Sequence, residues 1–94
     1  MDIQSSIPSA QNMALTERVQ LLLADAIQVP SDMVTPDLAF GDLPQWDSLG
    51  HMEVMMRLED QFGVEISADT IAELISIPEI CKYLQEQGHE HFEQ

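Results

Sequence analysis

Basic side chains are the scarcest chemical class in this sequence. Among its 94 residues there are three, Arg18, Arg57 and Lys82, against 17 acidic ones, which gives a formal net charge of -14. Proteins bind nucleic acids largely by placing Lys and Arg on the phosphates, so this composition argues against a nucleic-acid partner. An anionic membrane surface is disfavoured for the same reason. The charge favours rapid encounter with basic protein surfaces instead.

Cysteine and long apolar runs are also scarce or missing. Cys81 is the one cysteine, so no intrachain disulfide and no cysteine-based zinc site can form. The first six residues lack the positive charge and the apolar segment of a signal peptide. No apolar run approaches the length of a membrane span. These features predict a cytoplasmic protein without a membrane partner.

Signatures of catalysis and metal binding are missing as well. His51 follows Ser48 at a helical distance, but no third residue orients it and no Gly-rich oxyanion loop is present. His89 and His91 fall in a polar tail, and the acidic segment 37–47 lacks the pattern of a calcium loop. We therefore expect no catalytic residue and no metal site, with a Ser48–His51 hydrolase as a minor alternative.

What the sequence does contain is 45% hydrophobic residues, many of them at helical spacing. Four helices are predicted from these stripes and from their capping residues. The first runs from Leu15 to about Ala26, and the second runs from Ser48 to Phe62 and ends before Gly63. A brief third helix is capped by Ser67 or Asp69 and ends near Leu74, and the last helix is capped by Ser76. The predicted fold class is all-α, a small four-helix bundle of three main helices and one short one.

A long connection joins the first two predicted helices. Three prolines and Gly41 rule out a continuous helix over residues 29–47, yet the segment carries many apolar side chains. We expect a loop packed onto the helices, with a helical turn near 31–34 capped by Ser31. The predicted organisation is a flexible lead-in at 1–12, one folded domain at 13–86 and a flexible tail at 87–94.

One short string stands out at the start of the second helix, Asp47-Ser48-Leu49. A serine in that place is usually a helix cap. The string is followed by Leu58-Glu59-Asp60-Gln61-Phe62-Gly63-Val64-Glu65-Ile66 and later by Ile80-Cys81-Lys82-Tyr83-Leu84. Over about residues 16–84 these strings resemble the acyl carrier and peptidyl carrier protein family, the phosphopantetheine-attachment domains, in its discrete single-domain form.

The resemblance implies a carrier that is not itself an enzyme. In that family the matching serine, here Ser48, receives 4′-phosphopantetheine from coenzyme A through a phosphopantetheinyl transferase. Asp47 and Leu49 match the residues that flank it. The arm then holds acyl, polyketide or aminoacyl groups as thioesters for loading, condensing and transferring enzymes. The implied setting is fatty-acid, polyketide or non-ribosomal peptide biosynthesis, and the implied state is a monomer.

Partner-binding residues are predicted along the second helix. Glu53, Glu59 and Asp60 could meet basic patches on partner enzymes in transient, salt-sensitive docking. Met52 belongs to a methionine-rich apolar arc that is read either as ordinary core or as a core soft enough to open around an apolar guest. An acidic helical interaction module without a prosthetic group is the alternative function.

Two further residues near Ser48 have more than one interpretation. Many carriers have a glycine two or three positions before the serine, where this chain has Pro44-Gln45-Trp46. Trp46 could contact the arm or a partner, or it could cover the apolar seam of the loop. Gly50 costs helix stability and could keep the first turn adaptable.

Overall fold

The computed structural model describes residues 14–87, and in this part of the chain the regular structure is helical. The four α-helices are α1 (Leu15–Ile27), α2 (Ser48–Phe62), α3 (Ala68–Glu73) and α4 (Ile77–Glu86). A 3-10 turn at Ser31–Met33 interrupts the connection between α1 and α2. The all-α prediction is confirmed. The predicted lead-in at 1–12, and the tail beyond residue 87, lie outside the described residues, so the domain boundaries stay predictions.

Local signals in the sequence account for most of the helix ends. Helix α2 ends at Gly63, whose φ of 72° is the left-handed conformation that glycine adopts at low cost. The Ser67 hydroxyl caps α3, which decides between the two predicted candidates, Ser67 and Asp69. The Ser76 hydroxyl caps α4, as predicted. The prediction that Ser31 caps the 3-10 turn is wrong, because Pro30 occupies the cap position without a side-chain bond.

The core is formed mainly where α1 packs against α2 and α4. Fully or almost fully buried side chains from these three helices fill it: Val19, Leu22, Leu23, Val54, Met55, Leu58, Ile80 and Leu84. Cys81 lies at the edge of this cluster and is buried. Its place in the apolar stripe of α4 is the one that the sequence predicted.

The loop between α1 and α2 is fastened to the helices at two points. Gln20 of α1 donates a hydrogen bond of 2.6 Å to the carbonyl of Val34. Farther along, the amide of Ile77 donates to the Leu38 carbonyl at 2.9 Å, beside an isolated bridge between Ala39 and Ser76. Because Val29, Val34, Leu38 and Trp46 are buried, the loop is part of the core, as predicted.

Candidate functional site

Ser48 is the first residue of α2, and its side chain is exposed. The helix is capped by the residue before it, since the Asp47 carboxylate accepts a 2.9 Å hydrogen bond from the Gly50 amide. The Asp47 carbonyl accepts the first helical bond, from the His51 amide at 2.7 Å. The reading of Ser48 as a cap is therefore wrong. Within residues 14–87 its hydroxyl has no hydrogen-bond partner.

The end of the loop, at Gln45, passes very close to the first turn of α2, at Gly50. A Cβ atom placed on Gly50 would lie 2.2 Å from the Gln45 carbonyl oxygen and 3.3 Å from Ile27 Cγ2. Such a contact is impossible for a side chain, so the glycine permits the close approach of two backbone segments. The interpretation of Gly50 as a source of adaptability is not supported, because the turn is tightly packed here.

Trp46 and His51 form a buried polar contact beneath the serine. The Trp46 indole has 0% exposure, and its Nε1–H donates to His51 Nδ1 at 3.1 Å. The prediction that Trp46 contacts a partner does not fit this burial. The alternative fits, in which Trp46 covers the apolar seam of the loop, because the ring has no surface left to offer.

The tautomer of His51 follows from its two partners. An indole N–H can only donate, so Nδ1 must be the acceptor and Nε2 must carry the ring proton. Nε2 then donates to the Ile71 carbonyl of α3 at 2.8 Å. Since both nitrogens are occupied inside the core, His51 cannot act as a base for Ser48. The hydrolase alternative is therefore wrong. No local signal in the sequence indicates the Ile71 contact, which joins residues 20 positions apart.

One face of α2 combines apolar and acidic side chains. Leu49, Met52 and Met56 are 79%, 39% and 45% exposed, while Met55 is buried. The apolar arc predicted as core is thus split, with Met55 inside and the other two methionines outside. Glu53 and Asp60 lie one turn beyond Leu49 and Met56, respectively, and Glu59 lies beside Asp60. These six exposed residues (Leu49, Met52, Glu53, Met56, Glu59 and Asp60) are called the α2 face.

Two of the three basic side chains are held in contacts with other parts of the chain. Arg57 forms an ion pair with Asp25 of α1. The Arg18 guanidinium lies 4.9 Å from the centre of the Phe62 ring, in cation–π geometry. Glu53, Glu59 and Asp60 form no ion pair within the described residues, and they outnumber Arg57, the one Lys or Arg of α2.

The described residues do not bring metal ligands together. Within 14–87, no group of three or more His, Cys, Asp or Glu side chains is arranged to hold a metal ion. His89 and His91 lie outside this part of the chain. Among the described helices, none is long and apolar enough to span a membrane.

A small helical domain with an exposed, unbonded serine at the start of an acidic helix has the arrangement of a carrier domain. Comparisons with known sequences identify the family of carrier domains to which it belongs. Residues 17–84 match the family described as "Phosphopantetheine attachment site". The chain therefore belongs to the phosphopantetheine-attachment family.

Relatives named "Acyl carrier protein" align with most of the chain. One from Helicobacter pylori is 35% identical over 74 residues, which is 79% of this chain and 95% of that protein. One from Chlamydia trachomatis is 33% identical over 75 residues, covering 80% of this chain and 97% of the relative. Another, from Thermosynechococcus vestitus, is 30% identical over 70 residues, covering 74% and 86%.

Membership of the family has three direct consequences. Its members are carriers rather than enzymes. The prosthetic group that membership implies is a covalently attached 4′-phosphopantetheine. A phosphopantetheinyl transferase and the enzymes of a pathway are the general partners of such a chain. The alternative of an interaction module without a prosthetic group is correspondingly disfavoured.

The residues around Ser48 fit such a group. A phosphodiester on its hydroxyl would lie at the positive end of the α2 dipole. The amides of Ser48 and Leu49 precede the first helical hydrogen bond and are oriented toward that end. The Asp47 carboxylate, which could repel a phosphate, is directed to the Gly50 amide.

Proposed function

We propose that Ser48 is the attachment residue, flanked by Asp47 and Leu49 as supporting neighbours. The observation that carries the proposal is that Ser48 combines exposure with freedom from hydrogen bonds within the described residues. A transferase can reach such a hydroxyl without first breaking a contact. When attached, the arm supplies a thiol on which substrates are held as thioesters.

The chain itself supplies position and recognition rather than chemistry. Asp47 caps α2 and so fixes the direction of its first turn, while the exposed Leu49 stands beside the serine. We propose acyl, polyketide or aminoacyl groups as the cargo, in fatty-acid, polyketide or non-ribosomal peptide type biosynthesis. The monomeric state and the cytoplasmic location stay predictions from the sequence.

The α2 face is the proposed docking surface for partner enzymes. Glu53, Glu59 and Asp60 would meet basic patches, and Met52 would add an adaptable apolar contact. Exposed ion pairs are weak and screened by salt, so each contact contributes little. Weak contacts suit a carrier, because it must leave each enzyme before it reaches the next.

The test of attachment is an intact-mass measurement after incubation with coenzyme A and a broad-specificity transferase. We expect the mass increment of one phosphopantetheine in the unaltered protein and none in Ser48→Ala. Ser31→Ala is the matched control, because Ser31 is likewise an exposed serine at the first position of a helical turn. Loss of the increment in Ser31→Ala, or its persistence in Ser48→Ala, would contradict the proposal.

A further inference from the structure

His51 is one of two polar residues buried in the described part of the chain, the other being Thr70. It is 5% exposed, and its ring connects three elements. The loop contributes the Trp46 indole, α2 contributes His51 itself, and α3 contributes the Ile71 carbonyl. The Phe40 ring adds an edge-on contact, with ring centres 5.5 Å apart.

Both partners of His51 need the bond that it makes. The Trp46 N–H is fully buried, and a buried donor without a hydrogen-bond partner destabilises the folded state. The Ile71 carbonyl belongs to the last turn of α3, where carbonyls lack helical partners. A single neutral imidazole satisfies both groups, and it can do so only with its proton on Nε2.

Ser48 lies between the two buried anchors, two residues after Trp46 and three before His51. Its own side chain makes no hydrogen bond within residues 14–87, so its place is set by the segments on either side. The Trp46 carbonyl is held in turn by the Gly41 amide at 3.2 Å. The contact of the Gln45 carbonyl with Gly50 closes the same short segment.

We propose that His51 is a positioning residue for the modification of Ser48, acting as a clamp between the loop, α2 and α3. The inference rests on the proposed attachment at Ser48. With both bonds formed, the serine has one fixed direction relative to α3. With either bond broken, the loop end and α3 can separate, and the hydroxyl loses its defined position.

Two substitutions separate the two bonds. The side-chain oxygen of His51→Asn can replace Nδ1 and accept from Trp46, but the side chain is too short to reach Ile71. The amide nitrogen of His51→Gln can replace Nε2 and donate to Ile71, without the bond to Trp46. Met55→Leu is the control for a general loss of stability, because Met55 is a buried residue one turn farther along α2.

The first measurement compares the indole N–H resonance of Trp46, the single tryptophan of the chain, between the unaltered protein and the two His51 variants. In His51→Asn the resonance should stay near its position in the unaltered protein, and in His51→Gln it should move. Ring nitrogen shifts that place the proton on Nδ1 would overturn the proposal.

The second measurement is the rate of phosphopantetheine transfer to each folded variant. Misplacement of the acceptor hydroxyl should lower kcat about tenfold or more in both His51 variants, with the KM for coenzyme A unchanged. Met55→Leu should keep the kcat of the unaltered protein. Folded His51 variants with unaltered kcat would refute the clamp. If neither variant folds, Trp46→Phe removes one bond alone and should show the same fall in kcat.

Failure of the attachment proposal would look different. In that case the unaltered protein would gain no mass, or would gain it at another residue, while the indole resonance of the two His51 variants would still report on the clamp. A modified Ser48 together with insensitivity to both His51 variants would overturn the clamp alone.

Discussion

At the scale of single residues, the division of labour between Asp47 and Ser48 defines the site. A serine at a helix start ordinarily contributes a capping bond, yet here the bond comes from Asp47. This leaves the serine with no structural role that a modifying enzyme would have to disrupt. The two residues can therefore be separated by their effects on stability.

We predict that Asp47→Ala lowers the free energy of unfolding by about 1 kcal/mol, the usual cost of losing an N-cap. Asp47→Ser should recover most of it. Ser48→Ala, by contrast, should change it by less than about 0.5 kcal/mol. Urea denaturation followed by circular dichroism measures all three. A larger loss in Ser48→Ala than in Asp47→Ala would show that the cap is assigned to the wrong residue.

Gly50 gives a second prediction at this scale, and here two effects have opposite signs. Helix propensity alone would make Gly50→Ala more stable by about 1 kcal/mol. Overpacking against the Gln45 carbonyl should cost about 1–3 kcal/mol and outweigh that gain. We expect a net loss of stability in the same denaturation experiment. A more stable variant would mean that the loop end does not cross α2 this closely.

At the scale of elements, α2 shows which structural features can be predicted from the sequence and which cannot. Its bounds, Ser48–Phe62 followed by Gly63, were predictable because its start and end depend on residues close in sequence. The cap Ser76 was predictable for the same reason, whereas the cap of α3 could be narrowed only to Ser67 or Asp69. The direction of each apolar side chain was not, because apolar residues cover more than one face of α2. Packing against α1 buries Met55 and leaves Met52 and Met56 outside.

The buried pair of Trp46 and His51 marks the limit of sequence reasoning near the site. Both residues could be singled out in the sequence, Trp46 as a contact for the arm or a partner and His51 as a base for Ser48. Their mutual bond, and the bond to Ile71, depend on how the loop and α3 meet around α2. No periodicity or cap residue in the sequence carries that information.

The α2 face supports a prediction about docking. Glu53→Gln should weaken binding to a transferase by about 1.4-fold to fivefold at low salt, since an exposed ion pair contributes about 0.2–1 kcal/mol. The difference should shrink as salt is raised, because screening removes it. Glu86→Gln, at the far end of α4, is the charge-matched control. An equal effect of the two substitutions in a binding titration would show that net charge, rather than the α2 face, sets affinity.

At the scale of the whole molecule, the net charge of -14 dominates. Repulsion among the carboxylates opposes compaction, and salt screens it. We predict that Tm rises from low to moderate salt, by about 4–8 °C for each kcal/mol gained. Calorimetry over a range of sodium chloride concentrations measures this rise. Equal Tm values across the range would mean that repulsion among the carboxylates does not lower the stability of the folded state.

The central claim is that the arm is attached at Ser48, and the most direct test locates it in the chain. Cleavage after the arginines of the modified protein gives the peptide 19–57, which holds both Ser31 and Ser48. Fragmentation mass spectrometry then assigns the added group to one of them. The account predicts that every fragment carrying the increment includes Ser48. An increment on a fragment without Ser48 would contradict it.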